Sequence, residues 1–81
     1  MYNYFFSKTV IKFLEKQDIK FNQKIQEKIE ILCANPFDNS LDIKTFKWHK
    51  NHYRLRIWKY RFLYEIIQEK VFIYFYDADS R

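Results

Sequence analysis

The sequence predicts an α+β fold in which two helices cover one face of a small sheet whose last three strands pair antiparallel. Apolar residues recur every three or four positions in residues 8–34, which is the period of a helix, and every second position in residues 53–57, the period of a strand. An aromatic segment precedes the helical part, and two further β-like runs follow the alternating one. The predicted order is therefore β-α-α-β-β-β, in one domain spanning residues 1–81.

The first half of the chain contains the predicted N-terminal strand and both helices. Residues 2–6 are short and aromatic, as expected for a strand packed into a sheet. Ser7 is a candidate N-cap for the first helix, and Asp18 is a candidate N-cap for the second. The second helix is predicted to end at Asn35-Pro36, because the residue before proline disfavours the α region.

The second half of the chain contains the predicted sheet. Residues 37–43 are rich in turn-forming side chains and are predicted to form a loop. In the strand that follows, Tyr53, Leu55 and Ile57 alternate with Arg54, Arg56 and Trp58, which predicts an apolar inner face and a basic outer face. Residues 61–67 and 71–76 are predicted to form two more strands, joined as a hairpin through residues 68–70.

Composition excludes several classes of protein. The 81 residues suit one domain, and 22% aromatic residues argue against disorder. The single cysteine, Cys33, forms no disulfide within the chain, no Cys/His spacing resembles a zinc site, and the absence of glycine argues against a phosphate-binding glycine loop. No leader or membrane span is evident. We therefore expect a cytoplasmic protein without a metal, a small-molecule cofactor or a membrane partner.

Positive charge is concentrated in residues 44–61. The chain carries a formal net charge of +5, and this segment contains no acidic residue. Its basic side chains and histidines are Lys44, Lys47, His49, Lys50, His52, Arg54, Arg56, Lys59 and Arg61. Aromatic residues lie among them, and Trp58 is predicted to be exposed beside the arginines because it shares their alternation. This combination is typical of surfaces that bind nucleic acid, although core packing explains most of these aromatic residues equally well.

Several segments, taken in order, resemble the RelE/ParE toxin family over essentially the whole chain. They are Phe6-Ser7-Lys8, Asn35-Pro36-Phe37, Tyr53-Arg54-Leu55-Arg56, the run from residue 60 to residue 66, and Asp79-Ser80-Arg81. The resemblance to the RelE branch implies a metal-independent endonuclease that cuts mRNA in the ribosomal A site through the RNA's own 2′-hydroxyl. It also implies a cognate antitoxin that holds the toxin inactive. The ParE branch shares the fold but poisons DNA gyrase.

The resemblance implies an active-site set of Arg54, Arg56, Arg61 and Arg81. Interferases of this type often carry lysines where this chain has Arg54 and Arg56, and an arginine is a poor general base because it does not readily lose its proton. His52 and His49 are the nearest alternative bases, with Asp77 and Asp79 as weaker ones. For either histidine, a loop side chain bonded to backbone or water is an equally good interpretation.

Further residues are candidates for base stacking and for RNA binding. Family members usually continue beyond the last arginine with a tyrosine or histidine, whereas this sequence ends at Arg81. Tyr60, Tyr64, Tyr74 or Tyr76 is therefore a candidate to stack on a base. The predicted RNA-binding residues are Lys44, Lys47, His49, Lys50, Trp58 and Lys59.

Three functions remain open at this point. The first is a ribosome-dependent mRNA endonuclease, favoured by arginines that are predicted to converge, with mRNA and ribosomal RNA as partners. The second is a gyrase inhibitor that acts by protein binding, and the third is a catalytically weakened nucleic-acid-binding toxin. In each case we expect a cognate antitoxin that covers the Arg54/Arg56 face or displaces the last residues of the chain. The antitoxin's identity, the codon preference and the oligomeric state do not follow from the sequence.

Overall fold

The predicted α+β class and the order of the elements are confirmed. The structure, a computed structural model, describes residues 1–46 and 50–80. Its elements are β1 (Asn3–Phe6), α1 (Lys8–Glu15), α2 (Ile19–Ala34), β2 (Asp42–Thr45), β3 (His52–Ile57), β4 (Tyr60–Ile67), a 3-10 turn (Gln68–Lys70) and β5 (Phe72–Ser80). The five strands form one sheet in the order β1-β5-β4-β3-β2, with β1 parallel to β5 and every other pair antiparallel.

Both helices begin at the predicted caps. The Ser7 hydroxyl accepts a hydrogen bond from the Val10 amide at 3.2 Å, and the Asp18 carboxylate accepts one from the Phe21 amide at 2.7 Å. Helix α2 ends at Ala34, with Asn35 in extended conformation ahead of proline. Neither helix in the described part of the chain has the length and apolar character that a membrane crossing requires.

The sheet has one strand more than the sequence predicted. Residues 42–45 form the edge strand β2, so the predicted loop over residues 37–43 was wrong at its C-terminal end. This strand is short and has one partly buried position, Ile43, so it shows no alternation that could be recognised in the sequence. Its pairing with β3 places Lys44 opposite Arg54 and Asp42 opposite Arg56.

The core lies between the helices and one face of the sheet. The strands contribute alternate side chains to it, as their period of two requires. Its fully buried members include Val10, Leu32, Leu55, Phe62, Tyr64, Ile73 and Phe75. Burial of one such large side chain is worth about 1.5–3 kcal/mol. Because no helix packs on the opposite face of the sheet, that face is free to carry charged residues.

A β-bulge interrupts the pairing of β4 with β5. Leu63 lies opposite Asp77, whereas the next residue, Tyr64, lies opposite Phe75, so Tyr76 is the extra residue on β5. Phe75 and Ala78 are both buried although they are three positions apart. The bulge thereby directs Tyr76 towards the side of the sheet that faces away from the helices.

Candidate nucleic-acid interface

The side of the sheet that the helices leave uncovered, here called the open face, carries the predicted arginines. Leu55 and Ile57 of β3 are buried in the core, so Arg54 and Arg56, which alternate with them, point the other way. Arg56 lies opposite Arg61 of β4. The sheet thus brings together the side chains that the sequence separates.

Four basic side chains surround one small cavity, here called the arginine cavity. It has a volume of about 120 Å³ and is lined by Arg54, Arg56, Lys59 and Arg61. The cavity is small and bordered by basic side chains, which suits a compact anion such as a phosphate group. Like charges that face each other across strands repel, so the cluster favours an anion between them.

Two carboxylates reduce this repulsion. Arg61 donates from Nε to Oδ1 of Asp79 at 3.2 Å and from Nη2 to Oδ2 at 3.4 Å. Nε of Arg56 lies 4.0 Å from Oδ2 of Asp42 and donates to the Trp58 carbonyl oxygen at 3.0 Å. Within residues 1–46 and 50–80, no carboxylate forms such a pair with Arg54. Partly exposed ion pairs are each worth about 1 kcal/mol or less, so a phosphate can compete with them.

A second, larger cavity lies further along the open face and is here called the aromatic cavity. Its volume is about 450 Å³, and it is lined by Phe46, His52, Leu63, Glu65, Tyr74 and Tyr76. Nδ1 of His52 lies 3.1 Å from the Tyr76 hydroxyl, and Nε2 lies 3.8 Å from Oε2 of Glu65. The second distance indicates an electrostatic contact and is too long for a hydrogen bond.

The Tyr76 hydroxyl and Nδ1 of His52 share one hydrogen bond, in which the donor depends on the tautomer of His52. Partial burial, together with the nearby negative charges of Glu65 and Asp77, raises the pKa of the Tyr76 phenol. The phenol therefore keeps its proton at neutral pH and can donate it to Nδ1 of His52. In that arrangement the N–H of Nε2 faces the Glu65 carboxylate.

The structure brings most of the predicted residues to the open face. Arg54, Arg56, Arg61 and Lys59 share the arginine cavity, and Lys44 lies next to it through its pairing with Arg54. His52 is on the same face but lines the aromatic cavity. Lys50 is exposed in the turn before β3. The predictions for Lys47, His49 and Arg81 lie outside the described residues.

Trp58 is exposed, as predicted, but it does not share the alternation of the arginines. This residue is 59% exposed, but it lies in the turn after β3 with a φ of 57°, so the strand alternation ends before it. Its ring is 5.1 Å from that of Phe21 in helix α2, which places it towards the helices and away from the open face.

The structure also shows which of the candidate tyrosines are buried and which line a cavity. Tyr64 is fully buried, and Tyr60 packs against Phe13 and Phe21. Tyr74 and Tyr76 remain as the two that line a cavity on the open face. Sequence reasoning missed Glu65 and Asp42. The alternation of β4 contains the signal for Glu65, because it shares the phase of Arg61 and Leu63.

The architecture is a helical pair on a mixed sheet with a basic open face. No protein-family profile and no curated protein sequence matches the chain. Among solved structures, RelE in the archaeal RelE–RelB complex from Pyrococcus horikoshii is similar, with a TM-score of 0.86, 22% identity, and coverage of 99% of this chain and 94% of that one. The RelB–RelE complex of Methanococcus jannaschii matches with a TM-score of 0.73 and 29% identity, covering 94% and 88%.

The isolated RelE toxin of E. coli matches with a TM-score of 0.80 and 17% identity, covering 99% of this chain and 84% of that one. The chain therefore has the fold of the RelE/ParE toxin superfamily, as the resemblance in its sequence predicted.

Proposed function

We propose that the protein is the toxin of a toxin–antitoxin pair and that it cleaves mRNA on the ribosome by attack of a 2′-hydroxyl, without a metal ion. One observation carries the proposal: three arginine side chains line one small cavity of the open face, whereas Lys59, which also lines it, holds its ammonium group 5.5 Å from the centre of the Tyr60 ring. The RelE fold supports it. A protein that acted only by binding another protein would have no need of this convergence.

The arginine cavity suits the charge that develops during cleavage. Attack of the 2′-hydroxyl on phosphorus builds negative charge on the non-bridging oxygens. It forms a 2′,3′-cyclic phosphate and breaks the bond from phosphorus to the 5′ oxygen of the next nucleotide, which takes a proton from water as it leaves. A guanidinium group donates two parallel hydrogen bonds to the non-bridging oxygens and keeps its charge. Arg54, Arg56 and Arg61 are the groups proposed for this role, and Arg81 is proposed to join them. Preorganised donors of this kind supply a large part of the rate enhancement in many enzymes.

His52 is the group proposed to accept the proton of the 2′-hydroxyl, through Nε2, in the tautomer whose Nδ1–H donates to the Tyr76 hydroxyl. It lies two positions before Arg54 on β3, and a strand rises about 3.3 Å per residue, so its backbone is roughly 7 Å from that of Arg54. This separation is within the span of one nucleotide. An imidazole gains and loses a proton near neutral pH, whereas the neighbouring guanidinium groups do not.

An antitoxin is the proposed protein partner. Several RelE structures similar to this chain are complexes with RelB. On this chain, exposed apolar side chains at Phe5, Ile19 and Phe37 would gain from being covered. An antitoxin that also laid acidic residues over the arginine cavity would exclude RNA from it.

Cleavage of a defined message on stalled ribosomes tests the proposal. We expect discrete 5′ ends at the A site, mapped by primer extension, that require ribosomes. Arg61→Ala should weaken them on the order of 100-fold, because one donor to the developing charge is lost. The matched control is Lys70→Ala, which removes the same charge from the exposed turn between β4 and β5.

An absence of cleavage by the intact protein would contradict the proposal. The carboxylate partners of Arg56 and Arg61 favour one alternative, because they neutralise part of the arginine cavity and leave a surface suited to a protein partner. That alternative is inhibition of DNA gyrase. A supercoiling assay distinguishes it from a catalytically weakened toxin, which would inhibit neither process.

A further inference from the structure

The two edge strands of the sheet differ in how they are protected from pairing with another chain. Strand β2 is short and exposes Asp42 and Lys44, and charged side chains on an edge strand discourage a further strand from pairing there. Strand β1, over residues 3–6, contains no charged residue and no proline, and two of its side chains are exposed. Because an edge of this kind readily pairs with another strand, β1 is the edge at which we expect a partner.

The hydrogen bonds of β1 show which of its backbone groups face the sheet. The Asn3 amide donates to the Val71 carbonyl oxygen at 3.0 Å, and β1 runs parallel to β5. Successive residues of a strand direct their N–H and C=O groups to opposite sides. Those of Asn3 and Phe5 therefore face β5, whereas those of Tyr4 and Phe6 point away from the sheet. In the part of the chain that the structure describes, no strand pairs with β1 on that outer side.

The end of helix α2 limits the free part of this edge. The amide of Tyr2 points to the same outer side and donates to the Cys33 carbonyl oxygen at 2.9 Å. At the other end of β1, helix α1 begins at Lys8. Tyr4 and Phe6 are thus the two positions at which β1 can pair with a further strand.

A second copy of β1 fits this edge in one antiparallel register. Tyr4 of each copy lies opposite Phe6 of the other, and each of these pairs exchanges two backbone hydrogen bonds. A register centred on Tyr4 would instead need the Tyr2 amide, which is already bonded to helix α2. In the first register Phe5 faces its own copy across the two-fold axis, where cross-strand aromatic pairs are stabilising. Phe5 is 56% exposed, so its ring is available for this contact.

The same register brings opposite charges together at both ends of the paired strands. Tyr2 of one copy comes close to Lys8 of the other, and the Tyr2 amide is bonded to the last turn of α2 at Cys33. That turn contains no basic residue, and its carbonyl groups form the negative end of the helix dipole. The negative charge of Glu30 also acts on Cys33. A lysine beside this end of the helix is therefore favourable.

The basic clusters of two copies lie far apart when β1 pairs with β1. Arg54 and Arg56 are on β3, the fourth strand from that edge. Three strand spacings within each copy and one between the copies separate the two β3 strands, roughly 34 Å in total at about 4.8 Å each. The Debye length is about 8 Å at physiological ionic strength, so the repulsion between the two clusters is screened. The net charge of +5 does not prevent this pairing.

We propose that β1 is a self-association edge, at which two copies of the chain pair antiparallel about Phe5 to form a symmetric dimer with one continuous sheet. Two-fold dimers are the commonest form of protein assembly. The axis is perpendicular to the sheet, so the open faces of both copies lie on the same side of the dimer. An antitoxin that covered Phe5 would displace the second copy, so the dimer is a state of the chain without its antitoxin. The inference is independent of the proposed endonuclease function, because it uses no residue of the arginine cavity.

Sedimentation equilibrium of the purified full chain, without an antitoxin, measures this association. We expect the mean mass to rise from that of one chain towards that of two between about 1 µM and 1 mM. Phe5→Lys should raise the dissociation constant on the order of 100-fold, because it removes the aromatic pair and sets two like charges opposite each other. The matched control Phe37→Lys changes another exposed phenylalanine, outside β1, and should leave the constant within about twofold.

A disulfide tests the register. Phe5→Cys should form a disulfide-linked dimer under mild oxidation, since the Cα atoms of such a cross-strand pair lie about 4.5 Å apart. The native Cys33 is buried, and the control Phe37→Cys should not cross-link in this way. A mass of one chain at every concentration up to about 1 mM would overturn the inference. A dimer that Phe5→Lys leaves intact, or that Phe5→Cys does not cross-link, would overturn it as well.

Discussion

At the scale of single residues, two aspartates neutralise part of the arginine charge on the open face. Asp79 engages Arg61 through two hydrogen bonds, and Asp42 lies beside Arg56. Both carboxylates are more than half exposed, so water screens these pairs. They hold the guanidinium groups in position, and a phosphate that bound among the arginines would have to replace these contacts.

Asp79→Asn is therefore expected to strengthen RNA binding about two- to fivefold, since a partly exposed pair is worth up to about 1 kcal/mol. The measurement is the dissociation constant for ribosomes carrying a message with a non-cleavable 2′-deoxy residue. Glu27→Gln makes the same change of charge on the exposed side of helix α2 and should leave binding within twofold. Weaker binding by Asp79→Asn would mean that the aspartate chiefly positions Arg61.

At the scale of elements, the helices and strands that could be predicted are those that contain several repeats of their apolar pattern. Helix α2 and strand β3 show several repeats of their apolar pattern, and their caps and breakers are visible in the sequence. Strand β2 and the bulge at Tyr76 each depend on pairing with a distant strand. The pattern of residues within one segment does not indicate which distant strand that segment pairs with. The arginines could therefore be predicted from the sequence, whereas the aromatic cavity, which is lined by residues of several strands, could not.

The start of helix α1 shows how one side chain joins two elements. The Ser7 hydroxyl accepts from the Val10 amide at 3.2 Å and donates to the Tyr76 carbonyl oxygen at 3.0 Å. It thus caps the helix and fixes it to β5 at the bulged residue. Ser7 follows β1, the strand that pairs with β5, so the contact also joins these two neighbouring strands.

Ser7→Ala should therefore lower the free energy of unfolding by about 1–2 kcal/mol, as expected for loss of a helix cap. Urea denaturation followed by circular dichroism gives this value. Ser80→Ala, at an exposed position near the end of β5, is the control and should change stability by less than about 0.5 kcal/mol. An equally small change for Ser7→Ala would show that water replaces both hydrogen bonds.

At the scale of the whole molecule, one layer of buried side chains serves the entire chain. A chain of this size buries only about 60% of the surface that its unfolded form exposes, so its stability is small. Large aromatic residues compensate by concentrating apolar area at few positions, and Phe62 and Phe75 are fully buried. Because the chain builds only one buried layer, no second layer of side chains covers the open face, which stays exposed to solvent.

Phe62→Ala should then be among the most damaging substitutions. Removal of a fully buried phenylalanine costs about 3–5 kcal/mol, against a typical total stability of 5–15 kcal/mol for a small protein. Urea denaturation should show this loss, whereas Phe37→Ala, whose side chain is 66% exposed, should cost less than about 1 kcal/mol. Similar losses for both variants would mean that the core does not depend on this single layer. A large loss for Phe62→Ala alone would show that the stability of the chain depends on this single buried layer.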